Sequence, residues 1–216
     1  MSSPEMQPGV LIAFEGGEGA GKSTQISTLE TRLRDAGRSV TRTREPGGSP
    51  IGARIRSLLL DPDSGDIDPR TEALLYAADR AQHAATVLWP ALQAGQVVIT
   101  DRYMDSSAVY QGYGRGLGLD PVKNLSLWAT RDLRPDLTIV LDLDPAVGLR
   151  RASATEFGGA DRMELAGLDF HRTVREGFLA LAAADPAHYA VIDASRPVES
   201  VALSVWDAVA DTLARR

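Results

Sequence analysis

The residues Gly16-Gly17-Glu18-Gly19-Ala20-Gly21-Lys22-Ser23-Thr24 satisfy the pattern G-x-x-x-x-G-K-[ST] at every fixed position. The apolar run Val10-Leu11-Ile12-Ala13-Phe14 precedes them, and Ile26, Leu29, Leu33 and Ala36 follow at helical spacing. Strand, loop and helix in that order are the context in which such a loop binds phosphate. Glycine lets the backbone turn tightly and aim several N–H groups inward, and the positive end of the following helix points at the same place. The expected product is a cradle for polyphosphate. Lys22 neutralises the outer phosphates, and the Ser23 hydroxyl is placed to ligate the magnesium that accompanies them.

Composition narrows the partners. A net charge of −6 argues against nucleic acid or an anionic membrane as the main partner, leaving a small anion as ligand. The chain has no cysteine, which excludes disulfides, thiolate catalysis and sulfur-bound zinc, and its three histidines lack metal-site spacing. No signal peptide or run of about 18 apolar residues stands out, so a cytoplasmic protein is expected. Residues 1–8 read as a short disordered lead to a single domain over 9–216.

In chain order, the first helix is expected to stop at Gly37, and a second strand spans 39–43. The loop Arg44-Glu45-Pro46-Gly47-Gly48-Ser49-Pro50 ends in a Ser cap with Pro at the first helical position, and Ile51, Ile55, Leu58 and Leu59 are predicted to be that helix's buried face. Asp68-Pro69 starts a helix whose apolar positions are Leu74, Leu75, Ala78 and Ala81, divided near Pro90 and ended by Gly95. Val97-Val98-Ile99-Thr100 reads as a strand buried on both faces, and strands over 137–143 and 189–192 each lead into a helix. Asp120-Pro121 and Asp144-Pro145 repeat the cap-plus-proline device. Five strands alternating with helices predict an α/β fold: a doubly wound five-stranded parallel sheet in three layers, with helices on both faces. Ligands bind outside the carboxyl ends of such strands, where Glu15, Arg44, Asp101, Arg102, Asp142 and Asp193 fall.

Asp101 sits where a second acidic group meets the magnesium, and Glu15 is a further candidate for the metal's surroundings. Arg102 can grip a phosphate bidentately, and Arg44 opens a rigid loop facing the cleft. Tyr76 and Arg80, and Ser107 and Gln111, are four apart and able to line a pocket from one helical face, although an aromatic at that spacing also suits a core. Residues 150–162 combine Arg150, Arg151 and Arg162 with Gly158-Gly159 and read as a mobile lid, to about residue 164, or as a charged exposed loop. Val122, Leu125 and Trp128 fit either core or interface.

Five elements together resemble bacterial thymidylate kinases: residues 14–24, Thr43-Arg44-Glu45-Pro46-Gly47-Gly48, residues 76–83 (YAADRAQH), Asp101-Arg102-Tyr103 and residues 106–112 (SSAVYQG). The resemblance implies a P-loop kinase fold, transfer of the terminal phosphate of ATP to dTMP with Mg²⁺, and a homodimer. It implies that Glu18 faces the sugar 3′-hydroxyl and the metal, that Arg44 and Arg102 hold the dTMP phosphate, and that Pro46 lines the acceptor site. Tyr76 stacks on thymine, Arg80 and Ser107 bond its polar edge, and Tyr110 or Gln111 crowds the sugar. Residues 193–198, with Arg196, resemble the family's adenine-side loop. Glu18 and Ala20 match the form whose catalytic arginine comes from the lid, with Arg151 the first candidate and Arg162 the second; Ser153 and Thr155 stand where such lids carry further arginines. The alternatives are a kinase for another nucleoside monophosphate or a deoxynucleoside, and a non-catalytic nucleotide switch, for which an N-K-x-D element is missing.

Overall fold

The computed structural model describes residues 9–155 and 167–215, without the side chains of 154 and 155. The lead expected over 1–8, the glycine-rich part of the segment expected to be a lid and Arg162 lie outside the described residues. Strands β1 (Val10–Glu15), β2 (Val40–Arg44), β3 (Val97–Asp101), β4 (Leu137–Asp142) and β5 (Tyr189–Asp193) pair in the order β2-β3-β1-β4-β5, all parallel. Parallel neighbours require crossovers, and the intervening helices supply them. The chain turns from one side of β1 to the other, so the loop after β1 opens at the switch point of the sheet.

Side-chain alternation divides the core. Val10, Ile12 and Phe14 of β1 face α1 (Lys22–Asp35) and α9 (Val198–Ala214), meeting Ile26, Leu29 and Leu33 from the first and Val201, Val205 and Val209 from the second. Leu11 and Ala13 face the other way, onto Leu88, Leu92 and Tyr103, and Val140 of β4 meets Val174 and Phe178 of α8 (Leu168–Ala184). Each fully buried side chain of this kind contributes about 1.5–3 kcal/mol.

The helix caps follow the sequence closely. Ser49 Oγ accepts from Gly52 N at 3.0 Å at the start of α2 (Pro50–Leu60), and Asp68 Oδ1 accepts from Arg70 N at 2.9 Å at the start of α3 (Pro69–His83). Asp144 Oδ1 accepts from Ala146 N at 2.9 Å at the start of α7 (Pro145–Thr155). The third Asp-Pro pair behaves differently: α6 (Leu119–Thr130) begins one residue before Asp120, turned in by Gly118 at φ 86°. Downstream of α3 a π-turn at Ala84–Leu88 leads into α4 (Trp89–Gln93), which accommodates Pro90, a residue without the N–H an α-helix interior needs. After β3 come α5 (Met104–Ser107) and a π-turn at Ala108–Gly114. Residues 150–155, expected within a lid, continue α7 as helix.

Two predicted helix faces are corrected. Of the expected core of α2 only Leu59 is buried; Ile51 and Leu58 are more than half exposed. On α3, Leu74 and Ala78 are exposed, while Glu72, Asp79, Arg80 and His83 are buried beside Ala73 and Ala77. The polar side of α3 faces inward because it builds the site described next.

The entry of α7 rests on the phosphate loop. A Cβ on Gly148 would overlap the Glu18 carbonyl oxygen, and one on Gly19 (φ 65°) the Gly148 carbonyl oxygen. Only bare backbones fit there. Gly148→Ala is therefore expected to lower stability by about 1–3 kcal/mol, read from the urea midpoint; an unchanged midpoint would contradict this contact.

Candidate active site

Two cavities share a wall at the carboxyl ends of β1, β2 and β3. The larger is lined by Glu18 through Thr24, Arg44, Asp101, Arg102 and Arg151. The smaller is lined by Pro46, Tyr76, Arg80, Ser106, Ser107, Tyr110 and Gln111. Glu18, Glu45, Arg56 and Arg102 line both.

In the larger cavity Gly21 adopts φ 87° and opens α1, whose N-terminus faces the loop. Lys22 is buried and donates to the carbonyls of Gly16 at 3.1 Å and Gly17 at 2.9 Å. Burial, and then the nearby Arg102, pull its ammonium below the ordinary value. The Ser23 hydroxyl and the Asp101 carboxylate, hard oxygen donors of the kind a magnesium ion takes, line the same space.

Arg102 stands between the cavities in a left-handed conformation, φ 68°, which costs a non-glycine residue about 1–3 kcal/mol. Surrounding bonds enforce it. Arg102 N donates to the Phe14 carbonyl at 2.9 Å, and Thr100 Oγ1 donates to the Arg102 carbonyl at 2.8 Å. Glu15 fixes the next turn: its carboxylate accepts from Tyr103 N at 2.9 Å, Ser106 N at 3.1 Å and Ser106 Oγ at 2.6 Å. Burial, then the Asp105 carboxylate, push its carboxyl up to about 7. With no exposed surface and both oxygens engaged, Glu15 anchors the Arg102 turn. Held in this way, the Arg102 guanidinium donates to the Gly16 carbonyl at 3.2 Å and to Ser106 Oγ at 3.3 Å, pairs with Glu18, and lies 5.2 Å over the Tyr110 ring. Tyr110 OH also donates to Glu18, at 3.3 Å.

The smaller cavity is built on the buried polar side of α3. Arg80, 1% exposed, spends four of its five N–H groups on protein. Nε reaches Glu45 at 2.8 Å, Nη1 reaches Ser126 Oγ at 3.0 Å, and Nη2 reaches the Tyr103 carbonyl at 3.2 Å and Ser107 Oγ at 3.0 Å. Because Ser107 accepts from Arg80, its own O–H remains to donate. Glu45 also meets His83 Nδ1 at 2.8 Å, and His83 Nε2 meets Thr43 Oγ1 at 2.6 Å, so the end of β2 and α3 are bound by one buried polar chain.

The sequence candidates divide accordingly. Tyr76, Arg80, Ser107, Tyr110, Gln111 and Pro46 converge on the smaller cavity. Arg44 lines the larger one. Arg196 lines neither; Nη1 donates to Ser204 Oγ at 3.4 Å. Asp142 is bound bidentately by Arg175 of α8 at 2.6 and 2.9 Å, and Asp193 accepts from Ser195. Arg151 enters the larger cavity, its Nη1 3.4 Å from the Ala194 carbonyl oxygen. Two residues were missed. Arg56 of α2 donates to the Pro46 carbonyl at 3.1 Å, and Glu45 holds Arg80. Helical spacing alone assigns Arg56 to solvent; a signal lay only in its nearness to the Pro/Gly loop.

Burial alone would raise the Glu18 carboxyl, but Arg102, with Lys22 beyond it, outweighs burial and holds it down at about 2. The stability Glu18 lends is therefore complete above its ordinary 4.5 and lost as pH falls from there towards 2. Glu18→Gln is expected to show a smaller loss of Tm than the parent between pH 4.5 and 3; parallel curves would contradict the pairing.

The chain is similar to known proteins throughout this region and beyond it. Residues 14–205 match the family model described as thymidylate kinase. The thymidylate kinase of Deinococcus radiodurans is 52% identical over 206 residues, covering 95% of this chain and 98% of that one, and that of Leifsonia xyli subsp. xyli is 53% identical over 207 residues, covering 95% and 96%. The crystal structure of thymidylate kinase from Ehrlichia chaffeensis superposes with a TM-score of 0.75 at 30% identity, over 94% of this chain and 99% of that one. With a family model matched over residues 14–205, which hold the phosphate loop, the Arg102 turn and the polar cavity on α3, and relatives about half identical over nearly the whole chain, the chain belongs to the thymidylate kinase family.

Proposed function

We propose that this chain transfers the γ-phosphate of ATP to dTMP, giving dTDP and ADP for dTTP synthesis. The observation that carries the reading is the wall shared by the two cavities. A polyphosphate cradle and a pocket with an aromatic side and a polar edge meet at Arg102, Glu18 and Arg56. ATP occupies the larger cavity and dTMP the smaller, with Tyr76 against the base and Ser107 and Arg80 at its polar edge. An acceptor phosphate at the shared wall lies beside the terminal phosphate of ATP. Its oxygen is already ionised, so in-line attack needs no general base and catalysis consists of positioning and charge neutralisation. Lys22, Arg102 and Arg151 supply positive charge as negative charge gathers on the transferred group, and Arg44 adds to it from β2. Ser23 and Asp101 fit a magnesium ion, which when bound offsets charge on the donor phosphates. Arg162 is a second candidate lid arginine on sequence grounds.

Binding of a second copy is supported by apolar surface on α2, α3 and α6, where Leu58, Leu74 and Trp128 are 54%, 58% and 78% exposed. α2 packs on α3, and α3 on α6. Val122 is buried in the core, which leaves Trp128 for an interface. No described helix is long and apolar enough to cross a membrane.

Coupled ADP-release assays with dTMP, dUMP, UMP, dCMP and AMP test the activity. The highest kcat/KM is expected for dTMP; preference for another acceptor, or nucleotide binding without acceptor-dependent turnover, would overturn the reading. Lys22→Ala and Arg102→Ala are each expected to lower kcat by ~100-fold or more, and near-normal turnover in either would sink the mechanism. In sedimentation equilibrium the parent is expected as a dimer and the double variant Leu74→Glu, Trp128→Glu as a monomer. A monomeric parent would refute the interface.

A further inference from the structure

Gln111 belongs to the smaller cavity, yet its amide is held from behind. Its Nε2 donates to Glu72 Oε1 at 2.8 Å. Glu72 has no exposed surface, and its carboxylate is also met by Arg115, Nε at 3.3 Å and Nη2 at 3.4 Å. A carboxylate only accepts, so the amide must turn its nitrogen to Glu72 and its oxygen away. Among the described residues Gln111 Oε1 accepts no hydrogen bond from protein. The cavity therefore carries a donor in the Ser107 hydroxyl, which accepts from Arg80 and has its proton left to give, and an acceptor in Gln111 Oε1.

We infer that Glu72 is a positioning residue for base selection: by fixing the Gln111 amide it presents an acceptor to the pocket and so selects pyrimidines that carry N3–H. This rests on the proposed dTMP kinase activity. Thymine and uracil offer N3–H as donor beside O4 as acceptor. Cytosine inverts both, with N3 an acceptor and the 4-amino group a donor. Against cytosine the fixed Gln111 oxygen faces a lone pair, and reversing the amide would set its oxygen against the Glu72 carboxylate. The buried acid therefore makes the wrong orientation costly, while playing no part in recognising the 5-methyl group.

The decisive variant is Glu72→Gln, similar in shape but able to donate as well as accept, which frees the Gln111 amide to reverse. Steady-state kinetics with dTMP, dUMP and dCMP is expected to show the dTMP to dCMP ratio of kcat/KM falling about tenfold or more, with the dTMP to dUMP ratio unchanged. In a Gln111→Met background Glu72→Gln is expected to change neither ratio further. An equal loss for all three acceptors, or a further effect without Gln111, overturns the inference and leaves the activity standing. A parent enzyme that does not prefer dTMP and dUMP to dCMP overturns the proposed activity itself. Should Glu72→Gln fail to fold, Gln111→Met carries the test alone, and full selectivity in that variant is the contrary result.

Discussion

The contact between Arg102 and Glu18 joins every part of this site. It ties the residue after β3 to the phosphate loop after β1, and both side chains belong to the shared wall of the two cavities. The pair is partly buried, its geometry fixed by the Gly16 carbonyl, Ser106 and the Tyr110 ring, so it differs from a solvated surface bridge of little worth. The backbone strain at Arg102 is offset by Glu15, whose buried carboxylate takes three hydrogen bonds from the next turn. An anionic substrate arriving here meets a cation already aimed, and Glu18 is the anion it must share that cation with. Preorganisation of this kind places the cost in folding instead of in the reaction.

The same economy explains why α3 inverts its expected face. Burying Glu72, Asp79, Arg80 and His83 is expensive unless each is paired. Glu45 and Ser107 serve Arg80, Thr43 and Glu45 serve His83, and Gln111 and Arg115 serve Glu72; Asp79 is met on one side only, Gly47 N donating to Oδ1 at 3.0 Å while Oδ2 is buried without a hydrogen-bond partner among the described residues. Turning this side inward leaves Leu74 of α3 outside, and Ile51 and Leu58 of the neighbouring α2 are exposed as well. On α3 a polar pocket wall and an apolar outer position thus go together.

Much of this was legible in the sequence, for reasons that are local. The phosphate loop, the caps at Ser49, Asp68 and Asp144 and the buried strands each depend on residues adjacent in the chain, where spacing and turn chemistry suffice. Tyr76, Arg80, Ser107 and Gln111 emerged through resemblance and helical spacing. What spacing misread was the inward side of α2 and α3, because it treats apolar residues as core and cannot see a polar network satisfied by partners as far away as Glu45 and Ser126. The anchoring role of Glu15 lay out of reach in the same way: nothing adjacent in the chain shows the donors of Tyr103 and Ser106 that the fold brings beside it.

The central claim is that the two cavities form one continuous site, with acceptor and donor phosphates meeting at Arg102 and Glu18. Inhibition by a single molecule joining adenosine to thymidine through a polyphosphate chain tests it most directly, since linking two halves that bind together raises affinity only where the geometry permits both. The account expects inhibition competitive with both ATP and dTMP, and at least ~100-fold tighter than either nucleotide alone. Competition with only one substrate, or affinity no better than the stronger half, would contradict it.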